Sequence, residues 1–187
     1  DLGLGNVSDT SWVLRGKFRF SSLNTGNNGL IALFGIGSTA TDTIYPTGAL
    51  DYLGIEFRHD VDVKAFYPLY VDGSGYTIGT SLGITPAINT DYYVEIIRLS
   101  TTSFKVTVYS DSNYSNSLGS QTTTISSGIT SLRYLRVCNF SLASFSTITG
   151  TGDDFKFWNG VTSLTSKPTN VPTNSRFEET DTNTIYY

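Results

Sequence analysis

The chain has 187 residues, of which 39% are hydrophobic and 13% aromatic, so it carries too much core-forming material for a disordered segment and enough for one β-sandwich with a tail. A net charge of −4 with only 15% charged residues excludes nucleic acid as a partner, because that affinity comes from basic side chains neutralising phosphates. No run approaches the ~20 apolar residues of a membrane-spanning helix, which excludes membrane insertion of that kind. The single cysteine, Cys138, excludes an intrachain disulfide and reads as a small hydrophobe.

Along the chain, strand signals come at short, regular intervals. Residues 12–20 alternate: Trp12, Leu14, Gly16, Phe18 and Phe20 face one way, and Val13, Arg15, Lys17 and Arg19 the other, the basic face being read as solvated. After turn residues 24–29, the run 30–37 is apolar on both faces, as a central strand is. Residues 52–59 alternate again, with Leu53, Ile55 and Phe57 inward and Glu56 and Arg58 outward. Residues 61–71, interrupted by Pro68, predict a strand pair ending in the turn 72–75; the proline suits an edge or a bulge. Residues 92–99 and 104–110 predict a hairpin with Val94, Ile96, Val106 and Val108 buried, and strands follow at 120–125, 132–139 and 153–158.

No segment of helical length carries a 3.6-residue apolar stripe, so the expected fold class is all-β: a two-sheet antiparallel β-sandwich, or jelly roll, over residues 1–161. From residue 162 the character changes. Pro168 and Pro172 among Ser, Thr and Asn read as a linker, and residues 176–187 resume a strand-like pattern about a turn at 181–183. Residues 162–187 are therefore expected to be a linker and tail leading into a further module.

Four blocks carry a family likeness: Trp12-Val-Leu-Arg-Gly-Lys-Phe-Arg-Phe20, Tyr92-Tyr-Val-Glu-Ile-Ile-Arg98, Phe104-Lys-Val-Thr-Val-Tyr-Ser-Asp111 and Asp153-Asp-Phe-Lys-Phe-Trp-Asn-Gly160. In their order they resemble the concanavalin A-like lectin/glucanase superfamily, and within it laminin G-like modules of microbial and viral surface proteins. The resemblance implies that the Asp153 strand returns to pair beside the Trp12 segment. The tail 175–186 is similar to a short segment of structural proteins of bacteriophages and archaeal viruses, which implies a virion or extracellular surface location.

The row Glu56, Arg58, Asp60 falls where hydrolases of this superfamily carry three carboxylates and where legume lectins hold metal ions. Here a cation replaces the middle carboxylate. Retaining glycosidases need two carboxyl groups about 5–5.5 Å apart, one with a raised pKa. Residues four apart on a straight strand have Cα atoms ~13 Å apart, and an arginine between them favours the ionised form of both. The row is therefore read as non-catalytic, either a salt-bridged surface row or the polar part of a binding face. His59, the only histidine, is expected to pack inward.

Sugar binding needs aromatic platforms beside polar groups. Tyr67, Tyr70, Tyr76, Tyr109 and Tyr114 are the exposed candidates, with Glu56, Arg58 and Asp60 as neighbours; each tyrosine has the alternative of lying half-buried on a sheet surface. The resemblance also implies a structural calcium held by Asp153 or Asp154 with Asp9 or the carbonyls of residues 3–6, against the alternative that the Asp pair caps a turn. No other cofactor is implied. The expected partner is a glycan or host-surface receptor, with self-association through the tail. The expected function is a non-catalytic carbohydrate- or receptor-binding module; the alternatives are a structural or assembly module and, behind it, a glycan hydrolase or lyase.

Overall fold

The structure is a computed structural model that describes residues 1–3, 7–23, 29–40, 50–59, 64–142, 148–164, 177–179 and 184–186, the side chains of 138–142, 177–179 and 184–186 excepted. Asp60, the side chain of Cys138, the linker prolines Pro168 and Pro172 and the turn at 181–183 lie outside the described residues.

Ten strands build two five-stranded antiparallel sheets: β1 (Trp12–Leu23), β2 (Gly29–Gly37), β3 (Asp51–His59), β4 (Lys64–Asp72), β5 (Tyr76–Ile78), β6 (Asp91–Ser100), β7 (Ser103–Tyr109), β8 (Ser117–Thr124), β9 (Tyr134–Leu142) and β10 (Ile148–Asn159). The first sheet runs β10-β1-β6-β7-β8 and the second β5-β4-β3-β2-β9. Two short strands, β11 (Phe177–Glu179) and β12 (Thr184–Tyr186), pair with each other, Phe177 opposite Tyr186. The fold is an all-β two-sheet sandwich. Among the described residues no helix is long and apolar enough to cross a membrane.

Period-two alternation puts the inward residues of both sheets into one core. Trp12, Leu14, Phe18 and Phe20 of β1 meet Ile31, Phe34 and Ile36 of β2 and Leu53, Ile55 and Phe57 of β3. Aromatic rings tie the layers together: Phe20 lies 4.7 Å from Phe57, and Phe34 5.1 Å from Phe155. The second contact explains Gly16. A Cβ there would sit 2.7 Å from the Phe155 ring and 3.1 Å from Phe34, so only glycine leaves room for that pair. Phe155 reaches this space because the β1–β10 register slips between Arg15 and Lys17, at a bulge where Asp154 takes a φ of 55°.

Residues 64–72 form one strand, not the expected pair. Pro68 sits inside it, opposite Ile55, where the three-residue β5 has ended and the missing N–H breaks no ladder; its carbonyl accepts from Gly79 N. At one end of the sandwich Arg98, fully buried opposite Trp12, donates to the carbonyls of Ser100, Thr101 and Ile129. Burial lowers its pKa below the usual arginine value, with Asp9 and Asp51 opposing.

Candidate functional site

β3 and β4 carry the predicted Glu56, Arg58 and Tyr67 on the outer face of the second sheet, where Glu56 stands opposite Tyr67. That face is dry around Glu56, although Arg58 and Tyr67 are part-exposed. Glu56 is 0% exposed, and Ala32, Leu50, Tyr52, Leu69 and Val71 form a second buried cluster on the same face. The Tyr52 ring lies over Gly54 and Gly35, whose missing side chains make room for it. The expectation of Glu56 facing solvent is thus corrected: β3 is buried on both faces over residues 52–57, so alternation assigns a side but not its hydration. Arg58 Nε donates to Glu56 Oε1 at 3.0 Å and its guanidinium stands 5.8 Å from the Tyr67 ring. Such a carboxylate is held by an adjacent cation in a dry site.

The candidate tyrosines do not share one face. Tyr70 points inward and packs on the main core, because it pairs with the inward Leu53. Tyr76 is 45% exposed at the β5 edge of the second sheet. Tyr109 and Tyr114 lie on the opposite side of the molecule, over the outer face of the first sheet. A single tyrosine-lined groove with Glu56 and Arg58 is therefore not what the fold assembles.

A different cluster forms on the first sheet. One cross-strand row places Lys156, Arg15, Glu95, Thr107 and Ser120 side by side on β10, β1, β6, β7 and β8. Arg15 binds Glu95 Oε2 through Nε at 2.8 Å and Nη2 at 2.6 Å, and Tyr109 donates to Glu95 Oε1 at 3.2 Å. Thr107 and Ser120 hydroxyls bond each other at 2.9 Å. Above the row lies Tyr114: Arg15 stands 4.0 Å from its ring centroid and 5.8 Å from that of Trp158. Tyr93 and Tyr109 meet the same ring edge-on at 6.0 and 5.4 Å.

Tyr114 is placed there by its loop. The Asp111 carboxylate accepts from the backbone N–H of Asn113, Ser115 and Asn116 and from the Ser115 hydroxyl, which folds residues 111–116 back and holds Tyr114 at a φ of 56°. Those bonds, led by the one from Asn116, lower the Asp111 pKa below the usual carboxylate value. Burial drives the Tyr114 hydroxyl far above the phenolic range, against the opposing pull of Arg15. Burial, then the Glu95 charge, raises Tyr109 as well. Neither ring is poised to ionise near neutral pH; both present neutral surfaces, and Tyr109 donates a hydrogen bond to Glu95.

The carboxylates considered for calcium are not all gathered, and the carbonyls of residues 4–6 lie outside the described residues. β10 does return to β1, as the resemblance implied, but antiparallel pairing sets Asp153 opposite Lys17 and Asn159 opposite Trp12. Asp9, just before Trp12 at the start of β1, accepts from Ser131 N, several residues along the strand from Lys17 and its partner Asp153. Asp153 pairs with Lys17 at 3.2 Å and Asp154 with Lys156 at 3.6 Å. Asp9 so placed does not share one calcium with Asp153 or Asp154, and Asp154 sits at a mid-strand bulge and not at a turn. Among the described residues no group of three or more His, Cys, Asp or Glu is placed to hold a metal.

Sequence reasoning missed Arg15, Tyr93, Glu95 and Trp158. The signal was present: Phe155 and Phe157 take the inward positions of β10, so Lys156 and Trp158 must face out, on the side of Arg15.

No protein-family model matches the chain, and no curated protein matches it. Solved structures share its fold. An alginate lyase from Pseudomonas aeruginosa is similar at 10% identity and a TM-score of 0.51, over 81% of this chain and 65% of that one. The CBM2 module of the evolved Dit of Lactobacillus casei BL23 phage J-1 is similar at 13% identity and 0.51, over 87% and 70%. A protein of unknown function from Shewanella oneidensis MR-1 aligns at 18% identity and 0.49, over 80% of this chain and 56% of that one. The chain thus spans less than two thirds of the length of two of these structures.

Proposed function

We propose that the chain is a non-catalytic carbohydrate-binding module of an extracellular or virion-surface protein, with the concanavalin A-like, laminin G-like kind of sandwich and a tail of the phage and archaeal-virus type. The observation that carries this reading is the half-buried cluster of Tyr93, Tyr109, Tyr114 and Trp158 around the Arg15–Glu95 pair. Aromatic faces beside fixed hydrogen-bonding groups, on a flat sheet, are what sugar rings stack on. The phage Dit neighbour, designated a CBM2 module, accords with a carbohydrate-binding role. The non-catalytic part of the reading is supported by the dry, arginine-paired Glu56. The alginate lyase neighbour contributes the fold alone at its level of identity. Glycan-array binding by the folded chain, abolished in Tyr114→Ala and retained in Glu56→Gln, is the expected result; no signal on a broad array overturns it.

A second reading is a structural or assembly module. The pairing of β11 with β12 outside both large sheets favours it, since such a unit can join another copy or a partner chain. A trimer or higher oligomer by light scattering, reduced to a monomer on truncation after residue 161, is the result that reading requires.

A further inference from the structure

We infer, resting on the carbohydrate reading, that the outer face of the first sheet takes an uncharged polysaccharide and discriminates against uronate-rich or sulfated chains. The charges on this face are balanced among themselves. Arg15 pairs with Glu95 at 2.6 Å, Lys17 with Asp153 at 3.2 Å, Arg19 with Asp91 at 3.4 Å and Lys156 with Asp154 at 3.6 Å. Four cations are matched by four carboxylates, and Lys105, on β7 between Ile97 and Thr122, is the cation of this face with no ion pair among the described residues.

Arg15 is the cation nearest the rings, and it is committed twice. Two of its nitrogens bind Glu95, and the plane of its guanidinium group is spent on Tyr114. An anionic sugar is offered only the part of the Arg15 guanidinium that Glu95 does not hold, and it meets there a cation already neutralised by an adjacent carboxylate that is only 8% exposed and repels the incoming negative charge. A neutral chain meets no such obstacle. It stacks C–H faces on Tyr114 and Trp158, and its hydroxyls meet groups already held in one geometry by the row from Arg15 to Ser120. Recognition of this kind gains nothing from long-range attraction, so salt leaves it intact.

The test is affinity electrophoresis and calorimetry of the full 187-residue chain against paired neutral and anionic polysaccharides, such as β-glucan and galactan beside alginate and a sulfated glycan, at low and high salt. The expected result is binding to a neutral chain, changed less than about twofold by salt, and weakened about tenfold by Trp158→Ala, with Tyr114→Ala as the second variant. Near-UV circular dichroism confirms that each variant is folded. Binding confined to anionic chains and lost in salt overturns this inference while leaving the carbohydrate reading standing. Binding to neutral chains that neither variant weakens overturns the placement on this face. Absence of binding to every glycan overturns both.

Discussion

The guanidinium carbon of Arg15 lies 4.0 Å from the centroid of the Tyr114 ring, so a residue from the second strand of the sheet is roofed by one from a distant hairpin loop. Partial burial makes such a cation–π contact worth more than its exposed counterpart, on the order of 1 kcal/mol.

A double-mutant cycle between Arg15→Met and Tyr114→Leu is expected to show about 1 kcal/mol of favourable coupling in urea unfolding. Arg15→Met alone is expected to be the costlier single change, because it leaves Glu95 nearly buried without its cation, with only the Tyr109 hydroxyl on it. Independent, additive effects would mean that the ring merely covers the ion pair.

Asp111 sets a pH dependence. Its folded pKa lies below the ordinary 3.8, so its contribution to stability is complete above that value and drains away as the pH falls through the folded pKa. Between pH values of about 5 and 2, Asp111→Asn is expected to flatten part of the acid-induced loss of stability. Its mobile Tyr114 should also broaden in NMR spectra. An unchanged acid profile would show that the loop holds without the carboxylate.

The Glu56–Arg58 pair makes the opposite prediction for binding and for stability. Arg58→Ala leaves a dry carboxylate without its cation and is expected to cost on the order of 3 kcal/mol by chemical denaturation, with Glu56→Gln costing less. Neither change should alter glycan affinity of the folded protein, since the pair lies on the other sheet. Lost affinity in folded Glu56→Gln would move the site to that sheet.

Gly16→Ala adds one methyl where the Phe155 and Phe34 rings already meet. Overpacking there is expected to cost about 1–3 kcal/mol, and Phe155→Leu in the same chain should recover part of it by removing the ring that lies 2.7 Å from the new carbon. A neutral Gly16→Ala would mean that the bulge at Asp154 yields.

Much of this architecture is legible in alternation alone. Trp12, Leu14, Phe18 and Phe20 point inward as their spacing requires, and so do Val94, Ile96, Val106 and Val108. The single histidine is buried, as expected of the Phe57 side of β3. Residues 64–72 misled, because a proline suggests a break and its tolerance depends on whether a neighbouring strand is there to need its N–H. The site was less legible. Tyr67, Tyr70 and Tyr109 look equivalent in sequence, yet one lies on the outer face opposite Glu56, one in the core and one beside Glu95.

The pattern of residues by itself determined which side of each strand is apolar, because the pleat sends successive side chains to opposite faces whatever the neighbours are. Only the tertiary structure decided what covers each face and who stands beside whom. Strand order and register put Arg15 against Glu95 and left Glu56 dry, and both are set by contacts between segments far apart in the chain. Local periodicity carries no record of such contacts.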